Sequence, residues 1–383
     1  MKRTCVLLLM TVIAATAAAL QTEKSIAPKA VISPYTYWPG APTSGRFYHP
    51  VGIRIGNQFF MYVQGGAYKG VATGPGSDCA AIGEGILAFK TPWTAAGMRT
   101  PFTYVKEVSP CVTSPQDVHY SPGSAFQSAA DGRYKLLIDM TENGSDPIHF
   151  DWKRTLIGDT ADGVNFTWNT FLAQSVVGGT TFSFSSVVLV QATANSNWWG
   201  TFRFAFDGHD FGSVGQLRVL MDATKPRGYV VTMLAGDGTW RNVKDDGTID
   251  FVPRQQWEAL GANGMGAQSL VFNNISGAWE SWGDGTGLTS KAGCPNDDDP
   301  APNISGFRYR TVTQGSTFGP LGEVTSQARA MPSINYAGRM TPFRVNDPAN
   351  VHLLYSASTD RICEAFQMSG FKAAEILVTE LAD

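Results

Sequence analysis

Charge is scarce in this sequence. Asp, Glu, Lys and Arg make up 16% of its 383 residues, against roughly 25% in ordinary globular proteins. Nor is there a basic excess: 29 Lys and Arg face 32 Asp and Glu, for a net charge of −3. The positive stripe that a nucleic-acid binder needs is missing. Past the first twenty positions no apolar run approaches the ~20 residues of a spanning helix, which excludes a membrane partner. There is no G-x-S-x-G elbow, no H-E-x-x-H and no phosphate-cradling glycine loop, so nothing points to a nucleotide, a redox cofactor or a resident metal. What is abundant is turn and aromatic chemistry: 41 Gly, 10 Trp, 12 Tyr and 22 Phe within 43% hydrophobic residues. That composition buries a large core, excludes disorder, and favours a turn-rich β protein over a helical one.

Residues 1–20 read as a secretory signal peptide. Lys2 and Arg3 give a positive start, CVLLLMTVIAA is the apolar stretch, and a small-residue run ends at Ala19. The expectation is an exported protein, secreted or periplasmic. Cys5 goes with the signal, leaving Cys79, Cys111, Cys294 and Cys363. An even set in an oxidising compartment predicts two disulfides, with about three connectivities open.

Aromatic strand-like segments recur along the mature chain about every seventy residues, the mark of a repeat architecture. They read NQFFMYVQGG from Asn57, DGRYKLLIDM from Asp131, NWWGTFRFAF from Asn197, GAWESWGDG from Gly277 and NVHLLYSAS from Asn350. A Gly turn before an aromatic keeps the same period at Phe166, Trp240 and Phe318. Each segment follows another strand-like run, such as RFYHPVGIRI or FSSVVLVQA. This content predicts an all-β fold, a single five-bladed β-propeller of four-stranded antiparallel blades over 31–383. A pair of β-sandwiches is the structural alternative, but it would not make two motifs share one period. VPRQQWEALGAN, with Pro253 early and Gly261 after its end, predicts one short helix.

YHPVGIRIGNQFFMYV, and DGRYKLLID followed by RTLIGDTADGVNFTW, resemble the five-bladed propeller glycosidases, the group containing glycoside hydrolase families 32, 43, 62 and 68. The resemblance covers most of the mature chain and rests on blade motifs. It implies a glycosidase-like hydrolase acting on a poly- or oligosaccharide, with three carboxylates at the starts of leading strands in the first three units. This sequence departs from that set. His49 stands where the group has Asp before Pro50. SPGSAF in the second unit has no carboxylate, which leaves Asp117 just upstream as the nearest candidate. SFSSVVLV in the third offers only Ser183, Ser185 and Ser186.

The departures matter because glycoside hydrolysis needs an acid on the leaving oxygen and a base or nucleophile opposite. Serine lacks the acidity, whereas imidazole titrates near neutrality. His49 is therefore a candidate acid or base, or else a hydrogen-bonded residue at a strand start. By propeller geometry, the loops joining second to third strands surround the same face. They hold Glu84 among other acids; Glu142 and His149, candidate substrate contacts; and Asp207, His209 and Asp210, a candidate catalytic group. Most rim carboxylates are solvated turn formers. Trp38, Trp198 and Trp282 are candidate sugar platforms, although Trp is also a common core residue. The same geometry implies Cys79–Cys111 and Cys294–Cys363 as staples between neighbouring blades. Asp297, Asp298 and Asp299 with Asn303 lack the ligand pattern of a Ca²⁺ loop; they read as a solvated acidic loop, and no cofactor is expected. The competing function is a non-catalytic propeller that binds glycans or a protein partner through this face. Oligomeric state is not legible.

Overall fold

The computed structural model describes residues 21–22, 29–32, 46–66, 82–112, 118–143, 150–192, 195–206, 213–255, 257–258, 265–273, 278–286, 304–311, 324–329, 336–343, 345, 350–358 and 375–382; past residue 256 it describes backbone only, apart from Phe343 and Val345. The described chain is all-β. It runs as successive antiparallel meanders. The first comprises Arg46–Ile55, Gln58–Gly66, Ile82–Pro92 and Thr103–Glu107. The second comprises Val118–Gln127, Tyr134–Asn143, Phe150–Thr160 and Thr167–Ala173. The third comprises Thr180–Gln191, Trp198–Phe206, Ser213–Met221 and Tyr229–Leu234. Met265–Asn273, Ala278–Thr286, Ile304–Thr311 and Val324–Arg329 form the fourth. In the fifth, Tyr336–Phe343, Asn350–Ser358 and Glu375–Ala382 are completed from the other end of the chain by Lys29–Ile32.

The core lies between adjacent meanders. Tyr62, Ile86, Tyr120, Leu136 and Ile138 pack the first against the second. Leu137, Phe171, Phe184, Trp198 and Phe202 pack the second against the third. Phe343 and Val345 pack onto Phe47 and Phe59, with the Phe59 and Phe343 ring centroids 4.6 Å apart, so the fifth meander meets the first. Middle strands covered on both faces lose alternation: in Trp198–Phe206 only Arg203 and Phe206 escape full burial. The outer strand Thr167–Ala173 keeps a more alternating pattern.

The Gly-turn motif has a physical reason. Asp162 caps its turn by accepting the N–H groups of Val164 and Asn165, both at 2.9 Å. Gly163, at φ 81, donates its N–H to Thr160 Oγ1 at 3.0 Å and presses its Cα against the first meander, where a Cβ would meet the Ile55 side chain at 2.6 Å. Its carbonyl accepts the buried Tyr62 hydroxyl at 2.9 Å. The motif therefore marks a contact between neighbouring meanders.

The expected helix over VPRQQWEALGAN is corrected. Val252 O accepts the Gly236 N–H at 2.9 Å and Arg254 N donates to Leu234 O at 2.8 Å, while Trp257–Glu258 pairs with Ser213 and Val214. These backbone groups are committed to strand pairing and are not available to an i→i−4 ladder. Residues 256 and 259–263 of that segment lie outside the described residues. No described helix is long and apolar enough to cross a membrane.

Candidate functional site

Every leading strand slips register against its second strand: after Tyr48, after Pro122, after Ser185, after Met265 and after Gly338. Such a bulge bends a strand and re-aims its side chains. In the first three meanders the bulges carry His49, Gly123 and Ser186. His49 and Ser186 both sit at φ 48, a left-handed conformation that costs an L-residue about 1–2 kcal/mol and persists only where surrounding structure holds it. Gly123 is required by space. A Cβ there would lie 2.7 Å from the Val187 carbonyl oxygen, so no carboxylate side chain fits at this point of the second leading strand.

Around these bulges the structure assembles a buried polar network. His49 Nδ1 and Ser121 Oγ share a hydrogen bond of 2.7 Å. Ser121 stands opposite Asp139 in the strand register. Asp139 is 1% exposed; it accepts Thr155 Oγ1 at 2.9 Å and the Ser186 N–H at 2.7 Å. Beside them, Glu84 is 2% exposed. It accepts Gln64 Nε2 at 2.6 Å, and its Oε2 lies 3.4 Å from Nδ1 of buried His119. Buried carboxylates persist only with such partners. The cluster thus brings two carboxylates, two imidazoles and a hydroxyl to the mouth-side ends of the first two meanders. The cluster contains both proton-donating and proton-accepting groups. Among the described residues, no group of three or more His, Cys, Asp or Glu is arranged to hold a metal ion.

Of the candidates from sequence, His49 is in this cluster. Glu142 is half-buried at the end of its strand, opposite Val118 and Asp151. Trp198, a candidate sugar platform, lies away from this cluster: it is 1% exposed, edge-on to Phe126 at 5.1 Å between centroids, and stands opposite Gln191, the last residue of its leading strand. Burial between two meanders makes its ring part of the core. Trp282 pairs with Ser269 and Arg308 in the fourth meander, where only backbone is described. Trp38, Asp117, His149, Asp207, His209, Asp210, Cys79, Cys294 and Cys363 lie outside the described residues, as do Asp297–Asp299 and Asn303. Cys111 is exposed.

The sequence reading missed His119, Ser121 and Asp139 and placed Glu84 only among rim acids. Signals for two of them were available. In DVHYS, strand alternation puts His119 and Ser121 on one face, and Asp139 is the lone charge in LLIDM, where burial demands a partner.

No protein-family model matches the sequence, and a search of curated proteins finds no match. Solved structures do match. One described as a glycoside hydrolase superposes with a TM-score of 0.51 over 94% of this chain and 92% of its own, at 10% identity. The chain is similar in fold to the propeller glycosidases. Lower TM-scores of 0.48 and 0.46 relate it to the α-L-arabinofuranosidase of Podospora anserina in complex with cellotriose, at 8% identity over 95% of this chain and 98% of that one, and to a thermostable family-43 glycoside hydrolase, at 11% identity over 89% and 91%. At these identities the likeness is one of fold, and residue roles must come from the site itself.

Proposed function

We propose that this chain is an exported glycosidase-like hydrolase acting on a poly- or oligosaccharide, built as one five-bladed propeller of four-stranded blades. In this reading each meander is a blade and Lys29–Ile32 closes the ring. The observation that carries the activity is the buried Glu84, held by Gln64 and His119, beside the strained His49. A carboxyl group missing from the leading strands is thereby supplied from a third strand. Glu84 would serve as proton donor, its carboxyl held in place by Gln64 and His119. His49, or Asp117 immediately before the second leading strand, would activate water on the opposite side of the ring. Asp207, His209 and Asp210, with Glu142, His149, Trp38 and Trp282, are proposed as rim contacts to the glycan. Disulfides Cys79–Cys111 and Cys294–Cys363 are proposed as staples on that face, supported by the even number of cysteines left in the mature chain.

The test is sugar release from arabinans, xylans, fructans and galactans by the mature protein. Release should fall by about 100-fold or more in Glu84→Gln and in His49→Ala or Asp117→Asn, the usual scale for loss of an acid or base. Circular dichroism on each variant separates lost chemistry from lost folding. No release from any polymer by folded wild-type protein would replace this reading with the glycan-binding propeller.

A further inference from the structure

A groove between the second and third meanders starts at the strand ends remote from His49 and climbs the outer strand Thr167–Ala173 to Arg154, opposite Met140. Its first part is a cavity of about 350 Å³ bounded by Asp131, Lys135, Asp159, Asn169, Trp198 and Tyr229, among others. Next to it is a second cavity of about 410 Å³ that shares Asn169 and Arg227 with the first and adds Arg154 and Asp246. Two cavities joined through common walls make an elongated site, each part in the size range of small-molecule pockets.

The groove has a built polar wall. Lys135, buried apart from its edge, bonds Asp131 at 2.6 Å and also bonds Asp159. Its ammonium lies 5.9 Å from the Trp198 ring centroid, and the Trp198 indole N–H finds no acceptor among the described residues. Tyr229 packs against the same ring at 5.2 Å between centroids. Asp131, Asp159 and Asp246 balance Lys135, Arg154 and Arg227. Matched charge gives no preference for an anion or a cation. Instead the wall alternates acceptors, donors and the bifunctional Asn169 amide over an apolar floor, which suits a ligand rich in hydroxyls that each donate and accept.

We propose that this groove is a second saccharide site that holds a neutral glycan chain away from the mouth. The inference rests on the carbohydrate partner of the proposed function but not on its catalytic residues. Native gels cast with neutral xylan, arabinan or levan, or with anionic polygalacturonate, test it. A neutral polymer should retard the wild-type protein. The double variant Asn169→Ala/Arg227→Ala, with an unchanged melting temperature, should bind at least tenfold more weakly while cleaving a short chromogenic glycoside as before. Retardation unchanged in that variant, absent with every neutral polymer, or seen with polygalacturonate alone overturns the groove. Retardation lost in the variant, with no sugar release by wild type, supports the groove and rejects the hydrolase.

Discussion

Ser186 donates its backbone N–H to Asp139 Oδ2 at 2.7 Å, across 47 residues of chain. The bond ties the bulge of the third leading strand to the second strand of the preceding meander. Thr155 donates to the other carboxylate oxygen at 2.9 Å. Asp139→Ala should therefore leave two buried donors without an acceptor and destabilise the protein by about 3 kcal/mol. Asp139→Asn keeps an acceptor and should cost less. Urea denaturation midpoints give the ranking, and an Ala variant as stable as wild type would refute the clamp.

Ser186 also carries strain. At φ 48 it occupies backbone space that glycine enters freely. Ser186→Gly keeps the N–H to Asp139. Relief of the left-handed cost outweighs the extra unfolded-state entropy of glycine, for a net gain of about 0.5 kcal/mol. A lower urea midpoint in Ser186→Gly would show that the serine side chain contributes more than its backbone costs.

Stability should fall in acid partly through Asp162. The Asn165 and Val164 N–H groups that it accepts hold its carboxyl well below the usual carboxylate range. A depressed folded-state pKa means that the charged form favours the fold. Its contribution is complete above the unfolded value of about 4 and is lost as pH falls from there toward the folded value. Asp162→Asn should melt at a lower temperature than wild type at pH 5, with a narrower gap at pH 3. A constant gap would assign the effect to something other than this titration.

Peptide mapping of unreduced protein should recover Cys79 joined to Cys111 and Cys294 joined to Cys363. Reduction should lower the melting temperature, since each crosslink limits the unfolded chain. A Cys79–Cys294 peptide would reject the proposed staples.

Much of the architecture was legible because it is local chemistry repeated in tandem. Aromatic strands, Gly turns and their common period announced the meanders, and TADGVNFTW marked the turn that docks on Tyr62. The helix over 252–263 failed for a tertiary reason. Pro253 and the residues around it satisfy the cap rules of a helix, yet strand edges at Leu234–Gly236 and Ser213–Val214 claim their backbone groups first. The burial of Trp198 was equally illegible: a tryptophan looks the same in sequence whether neighbouring meanders cover it or leave it open.

The sequence alone determined the all-β class, the repeat, and the absence of carboxylates from SPGSAF and SFSSVVLV, because composition and strand period are carried by each segment independently. Only the tertiary structure decided that Glu84 meets His119 and that His49 meets Ser121, 72 residues away. Those pairs join different strands or meanders, and their burial is set by packing between sheets, which no single segment encodes.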